Sequence, residues 1–168
     1  MRVTVMVLCS LLLFACSRKS PQELYTEGTK AIETKEYRIA ADRFEEILAN
    51  HPHETVAESA LYRTALLYNN ELHDIPKAVG YFERYHDAYP ASQHAPTALF
   101  LTGFLLNNDM HDIGRAKEAY TKFLREYPTH DLASSARFEL ENLGKDPGLL
   151  APAAGAGEPD SAAGRATH

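Results

Sequence analysis

At 168 residues, 45% of them apolar and 24% charged, the chain has the length of one domain and enough apolar material to build a core. Its 23 acidic residues outnumber 17 basic ones for a net charge of −6, which excludes the basic face that nucleic-acid binding needs. No run of about 18 apolar residues occurs, so a permanent membrane span is not expected.

The first sixteen residues read as a targeting segment. Arg2 supplies a minimal positive start, and Val3 to Ala15 form an apolar stretch too short to span a bilayer. It ends Leu13-Phe14-Ala15-Cys16, which resembles the lipobox of bacterial lipoproteins. That resemblance implies removal of a signal peptide over 1–15 and lipid (palmitate) attachment at Cys16, with 16–20 as lipidated residue and tether. Cys9 would leave with the signal peptide, so the mature chain would hold neither a free thiol nor a disulfide. In Gram-negative lipoproteins Ser17 after the lipidated cysteine is not an inner-membrane retention signal. The resemblance therefore implies attachment to the outer membrane on its periplasmic side.

From Ser20 the pattern is helical. Ser20-Pro21-Gln22-Glu23 offers an N-cap, a proline where its missing N–H costs nothing, and the glutamate of a capping box. The first helix should run to about Thr34 and the second from Tyr37 to Asn50. A third is expected from Glu54 to Asn70. Asp74 should cap the fourth, which tolerates Pro76 in its first turn and reaches Tyr89. The fifth should start between Ser92 and Ala95, with Pro96 in its first turn. Its stretch Ala98 to Leu106 is apolar on nearly every side and is expected to be buried all round. Asp112 should cap the sixth, which ends at Tyr127. A last helix from Thr129 or Asp131 to Leu143 is stopped by Gly144 and Pro147. Residues 145–168, rich in Ala, Gly and Pro, have little to bury and are expected to be disordered.

These helices are one hairpin repeated. Pro52, Pro90 and Pro128 stand 38 residues apart and close the phrases AADRFEEILANHP, AVGYFERYHDAYP and AKEAYTKFLREYP. Shifted by 38, Asn69-Asn70 falls on Asn107-Asn108, His73-Asp74-Ile75 on His111-Asp112-Ile113, and Phe82 on Tyr120. The first unit joins through Tyr37, Ala40, Phe44 and Ile47. A fixed period of this size marks a stacked array. Ala40, Phe44, Ile47 and Leu48 recur at helical spacing on one face. The small alanine lets the two helices of a hairpin approach, and the aromatic one turn later fills the space beyond it.

The pattern resembles the tetratricopeptide repeat (TPR), with Leu24, Gly28, Ala31, Ala40, Phe44 and Pro52 in unit one and the equivalent residues in units two and three. The usual period is about 34, and here the additional residues follow each proline. The resemblance implies an all-α, right-handed TPR-type solenoid of about three and a half hairpins over 21–144. In such solenoids the first helix of each hairpin lines the concave face. The repeat register places Tyr25, Thr29 and Ile32 there in unit one. It places Arg63, Leu67 and Asn70 there in unit two, and Leu101, Leu105 and Asn108 in unit three. This mixed apolar strip suits an extended peptide or a helix of another envelope protein.

No catalytic constellation is evident. The eight histidines never pair at i, i+4 around a glutamate, so they read as turn and surface residues and not as metal ligands. No nucleophile elbow, P-loop or dinucleotide fingerprint is present. A non-enzymatic protein without cofactor, metal or small-molecule substrate is expected.

The anchor at Cys16 with SPQELYTEG and YRIAADRFEEILANHP resembles the YfiO/BamD family of outer-membrane lipoproteins, which serve the β-barrel assembly machine. The stretch FLREYPTHDLASSARFELENLGKDP is similar to the C-terminal repeats of the YbgF/CpoB family, which works with the Tol-Pal system. Both resemblances imply a periplasm-facing scaffold for protein–protein contacts.

Overall fold

The computed structural model describes residues 19–145. The expected signal peptide 1–15, the lipid site at Cys16 and the tail beyond Lys145 lie outside the described residues. Seven helices follow in order: α1 (Pro21–Glu33), α2 (Tyr37–Asn50), α3 (Thr55–Asn70), α4 (Ile75–Ala88), α5 (Ala95–Asn108), α6 (Ile113–Glu126) and α7 (Ala133–Glu141). No strand occurs among the described residues.

The helix starts follow from side-chain caps. The Ser20 hydroxyl accepts from the Glu23 N–H at 3.2 Å, and the Glu23 carboxylate accepts from the Ser20 N–H at 2.8 Å. These bonds hold the Glu23 carboxyl below its ordinary range, the backbone bond first. Asp74 and Asp112 accept from the N–H groups of Lys77 and Arg115 at 3.2 and 3.1 Å. Pro76 and Pro96 both fall in a first turn.

The stops are as local. His51, Tyr89 and Tyr127 each donate a last N–H one turn back, to Ile47, Tyr85 and Phe123, and then leave helical geometry ahead of their prolines. Within each hairpin one residue takes a left-handed backbone: Lys35 (φ 61°), His73 (φ 52°) and His111 (φ 55°). That kink turns later N–H groups back onto open helical carbonyls. Glu36 donates to Ala31 at 2.8 Å, Asp74 to Tyr68 at 2.9 Å, and Asp112 to Leu106 at 2.8 Å.

Two expectations shift at the C-terminal end. The last helix begins at Ala133, beyond Thr129 and Asp131, because the Leu132 N–H is taken by His130 Nδ1 at 3.1 Å in the preceding turn. It ends at Glu141, and Gly144 (φ 72°) follows in the left-handed region.

Each helix packs on the next, and α1 also packs on α3. Ala40, Ala78 and Ala116 are fully buried, as are Phe44, Phe82 and Tyr120 one turn later. The aromatic rings press on the first helix of their own hairpin at Gly28 and Gly103, where a Cβ would stand 2.6 Å from Phe44 and 2.9 Å from Tyr120. Helix α5 buries most of its length, but Phe104 stays 39% exposed, so the helix is not enclosed on every side. Between hairpins two and three, His86 is 3% exposed. Its Nε2 lies 3.0 Å from Glu126 and its Nδ1 3.2 Å from Lys122, which ties α4 to α6.

Candidate functional site

The first helices of hairpins one and two face each other across a cavity of about 460 Å³. The α1–α3 contact sets its width, and side chains one or two helical turns apart form its walls. Tyr25 and Ile32 come from α1, and Arg63, Leu66, Leu67 and Asn70 from α3. Tyr85 of α4 and His94 of the loop before α5 close one end.

Aromatic packing fixes this geometry. Tyr62 stacks on His94 with ring centroids 4.6 Å apart and planes 13° apart, and it tilts against Tyr85 at 5.0 Å. The Arg63 guanidinium lies over the Tyr25 ring, 5.5 Å from its centroid. Arg63 forms no ion pair among the described residues. The Tyr85 hydroxyl donates to Glu58 at 3.0 Å and shares a 2.6 Å bond with Ser92. Burial first, and the Glu58 carboxylate with it, push the Tyr85 phenol up to about 12 against the opposing Ser92 bond. Tyr85 therefore stays a neutral donor at physiological pH.

Of the nine residues the repeat register assigns to a groove, Tyr25, Ile32, Arg63, Leu67 and Asn70 line this cavity. Leu67 is 4% exposed and forms part of its floor. Thr29 does not line it, and its hydroxyl is buried without a hydrogen-bond partner among the described residues. Leu101, Leu105 and Asn108 are not among its lining. Leu105 belongs to the core at 4% exposure, Leu101 packs against that core, and the Asn108 amide donates to its own helix at Phe104.

Tyr62, Tyr85 and His94 are among the lining residues that the groove register does not supply. Tyr62 occupies the large-aromatic position of the repeat and reads as core. Tyr85 belongs to a second helix, and His94 to an inter-repeat loop. A register built on first helices alone passes over the last two, and Tyr62 lies outside its groove positions.

Among the described residues no group of three or more His, Cys, Asp or Glu stands close enough to hold a metal ion. Also among them, no helix is long and apolar enough to cross a membrane. No curated protein matches the sequence. A family model described as YfiO, outer membrane lipoprotein, matches residues 17–146, a span that takes in all seven helices. The chain thus belongs to the YfiO family of outer-membrane lipoproteins, lipid-anchored at the outer membrane.

Proposed function

We propose that this lipoprotein is a non-enzymatic scaffold facing the periplasm. Its signal peptide is removed and Cys16 carries the lipid. It works in outer-membrane protein assembly by holding a segment of another envelope protein on the concave face of the solenoid. The observation that carries this reading is the cavity between α1 and α3. Arg63 lies there over Tyr25 with no ion pair among the described residues, beside the apolar floor at Leu67 and the stacked Tyr62–His94 pair.

Such a mixture suits an extended peptide. The rings supply contact area with little entropy to lose, and Arg63 supplies a charge-assisted donor to a backbone carbonyl or an acidic group. On this reading the chemistry of the cavity is recognition. The YfiO match favours an assembly role over the Tol-Pal role of YbgF/CpoB-type repeats.

The test is an in-cell crosslink from a photoreactive residue at Ser59, an exposed position on the cavity wall. Capture of barrel-assembly components or nascent outer-membrane barrels is expected. Capture of Tol-Pal or cell-wall proteins instead would overturn the assembly reading. Capture of neither would overturn the cavity as a docking site.

A further inference from the structure

The 38-residue register makes the first junction between hairpins a template for the second. At the first junction, Tyr68 of α3 and Tyr81 of α4 stack with centroids 5.6 Å apart and planes within 3°. Both hydroxyls donate to Glu45 of α2, at 2.7 and 2.8 Å. Lys77 covers the Tyr68 ring at 4.6 Å from its centroid and donates to the Tyr68 hydroxyl at 3.1 Å. The two rings fill the space between the second helices α2 and α4.

The second junction keeps most of this frame. Glu83 stands for Glu45, and Arg115 for Lys77. Leu99 stands for Leu61 and Thr102 for Thr64, and both threonine hydroxyls donate one turn back, to Ala98 and Ala60. The two rings are gone, because Leu106 replaces Tyr68 and Ala119 replaces Tyr81. A notch of about 210 Å³ stands there, open between α4 and α6. Glu83, Ala119, Arg115 and Lys122 line it, and Thr102 floors it.

We propose that this notch receives a tyrosine side chain from a partner protein. The ring would lie over Ala119 and the hydroxyl would donate to Glu83, as Tyr81 does to Glu45. The second junction retains the acceptor and a cation at the Lys77 position and lacks both rings, of which Ala119 leaves the Tyr81 place open. Glu83 Oε1 accepts from Arg115 at 2.7 Å, and Oε2 has no hydrogen-bond partner among the described residues. A phenylalanine would supply the ring but no donor to that oxygen. The notch lies between second helices, away from the α1–α3 cavity, so this inference stands apart from the role proposed for that cavity.

The test is a titration of the 15N-labelled full chain with 4-methylphenol, the tyrosine side-chain analogue, and separately with toluene. Saturable amide shifts at Glu83, Ala119 and Lys122 are expected from 4-methylphenol, with toluene binding about threefold or more weaker for want of the hydroxyl. Ala119→Tyr, which supplies the ring in cis, should abolish those shifts. Glu83→Gln should weaken 4-methylphenol while leaving toluene unchanged, a comparison that holds even if Ala119→Tyr does not fold. Absence of saturable shifts at these amides would overturn the proposal. So would equal binding of the two probes, or undiminished shifts in folded Ala119→Tyr.

Discussion

Gly28 and Gly80 are both helical, and alanine should act on them in opposite directions. At Gly28 a Cβ would stand 2.6 Å from Phe44 Cε1 and 3.0 Å from two further ring carbons. Carbon atoms prefer about 3.5–4.0 Å, so the shortfall is about 1 Å against a rigid ring. Phe44 is fully buried and rests against Tyr25, with ring centroids 5.6 Å apart, so it has little room to retreat. Overpacking of this kind costs about 1–3 kcal/mol, and the helix-propensity gain of about 1 kcal/mol offsets only part of that. At Gly80 nothing lies within 4 Å of the added carbon, so about 1 kcal/mol of helix propensity is gained without opposition. Urea unfolding followed by circular dichroism measures both. Gly80→Ala should shift the midpoint up and Gly28→Ala down, with unchanged slopes. A Gly28→Ala protein as stable as Gly80→Ala would refute the close-approach argument.

Other outcomes follow from single residues. Tyr120 stands where the other hairpins have Phe44 and Phe82, and its buried hydroxyl has no hydrogen-bond partner among the described residues. Tyr120→Phe should therefore stabilise by about 1–2 kcal/mol in the same unfolding assay. Burial raises the Glu139 carboxyl above its ordinary range, so the folded chain holds that proton more tightly than the unfolded one. The stability involved is present below the unfolded value and lost as pH rises through the folded one. Glu139→Gln should accordingly be the more stable protein at neutral pH, and its advantage should close by about pH 3, as thermal melts across pH will show. Arg63→Glu should weaken crosslinked partner capture from Ser59 about tenfold without lowering the melting temperature. Cys16→Ala should leave the chain unprocessed by the lipoprotein peptidase and deplete it from outer-membrane fractions.

Most of the fold is legible in the sequence because its determinants are local. The phrase Ala40, Phe44, Ile47 marks α2, and the proline after each such phrase marks its end. Asp74 and Asp112 announce their helices from the position just before the first helical residue. The left-handed residues are less legible. His73 and His111 recur through the 38-residue repeat while Lys35 differs from both, and neither residue type forecasts a left-handed backbone; their place between helices imposes it. The candidate site is half legible for a geometric reason. A repeat register tells which face of a helix points inward, so it finds Tyr25, Arg63 and Asn70. It does not tell where the next hairpin leans in: Leu105 occupies the register position of Leu67 and is equally buried, yet of the two Leu67 borders the cavity. His94 and Tyr85 reach the cavity from a loop and a second helix, through stacking that no periodicity encodes.

Because each helix packs almost wholly on its sequence neighbours, the molecule behaves as a one-dimensional chain of coupled units, and its cooperativity is only as strong as its weakest link. The links are unequal. The first junction is bolted by the Tyr68–Tyr81 stack on Glu45, while the second holds a notch and ends on a nine-residue helix that leaves Phe138 53% exposed. Thermal opening thus starts at the C-terminal end and travels inward. The last hairpin can melt and reform while the aromatic-lined cavity at the N-terminal end keeps its shape.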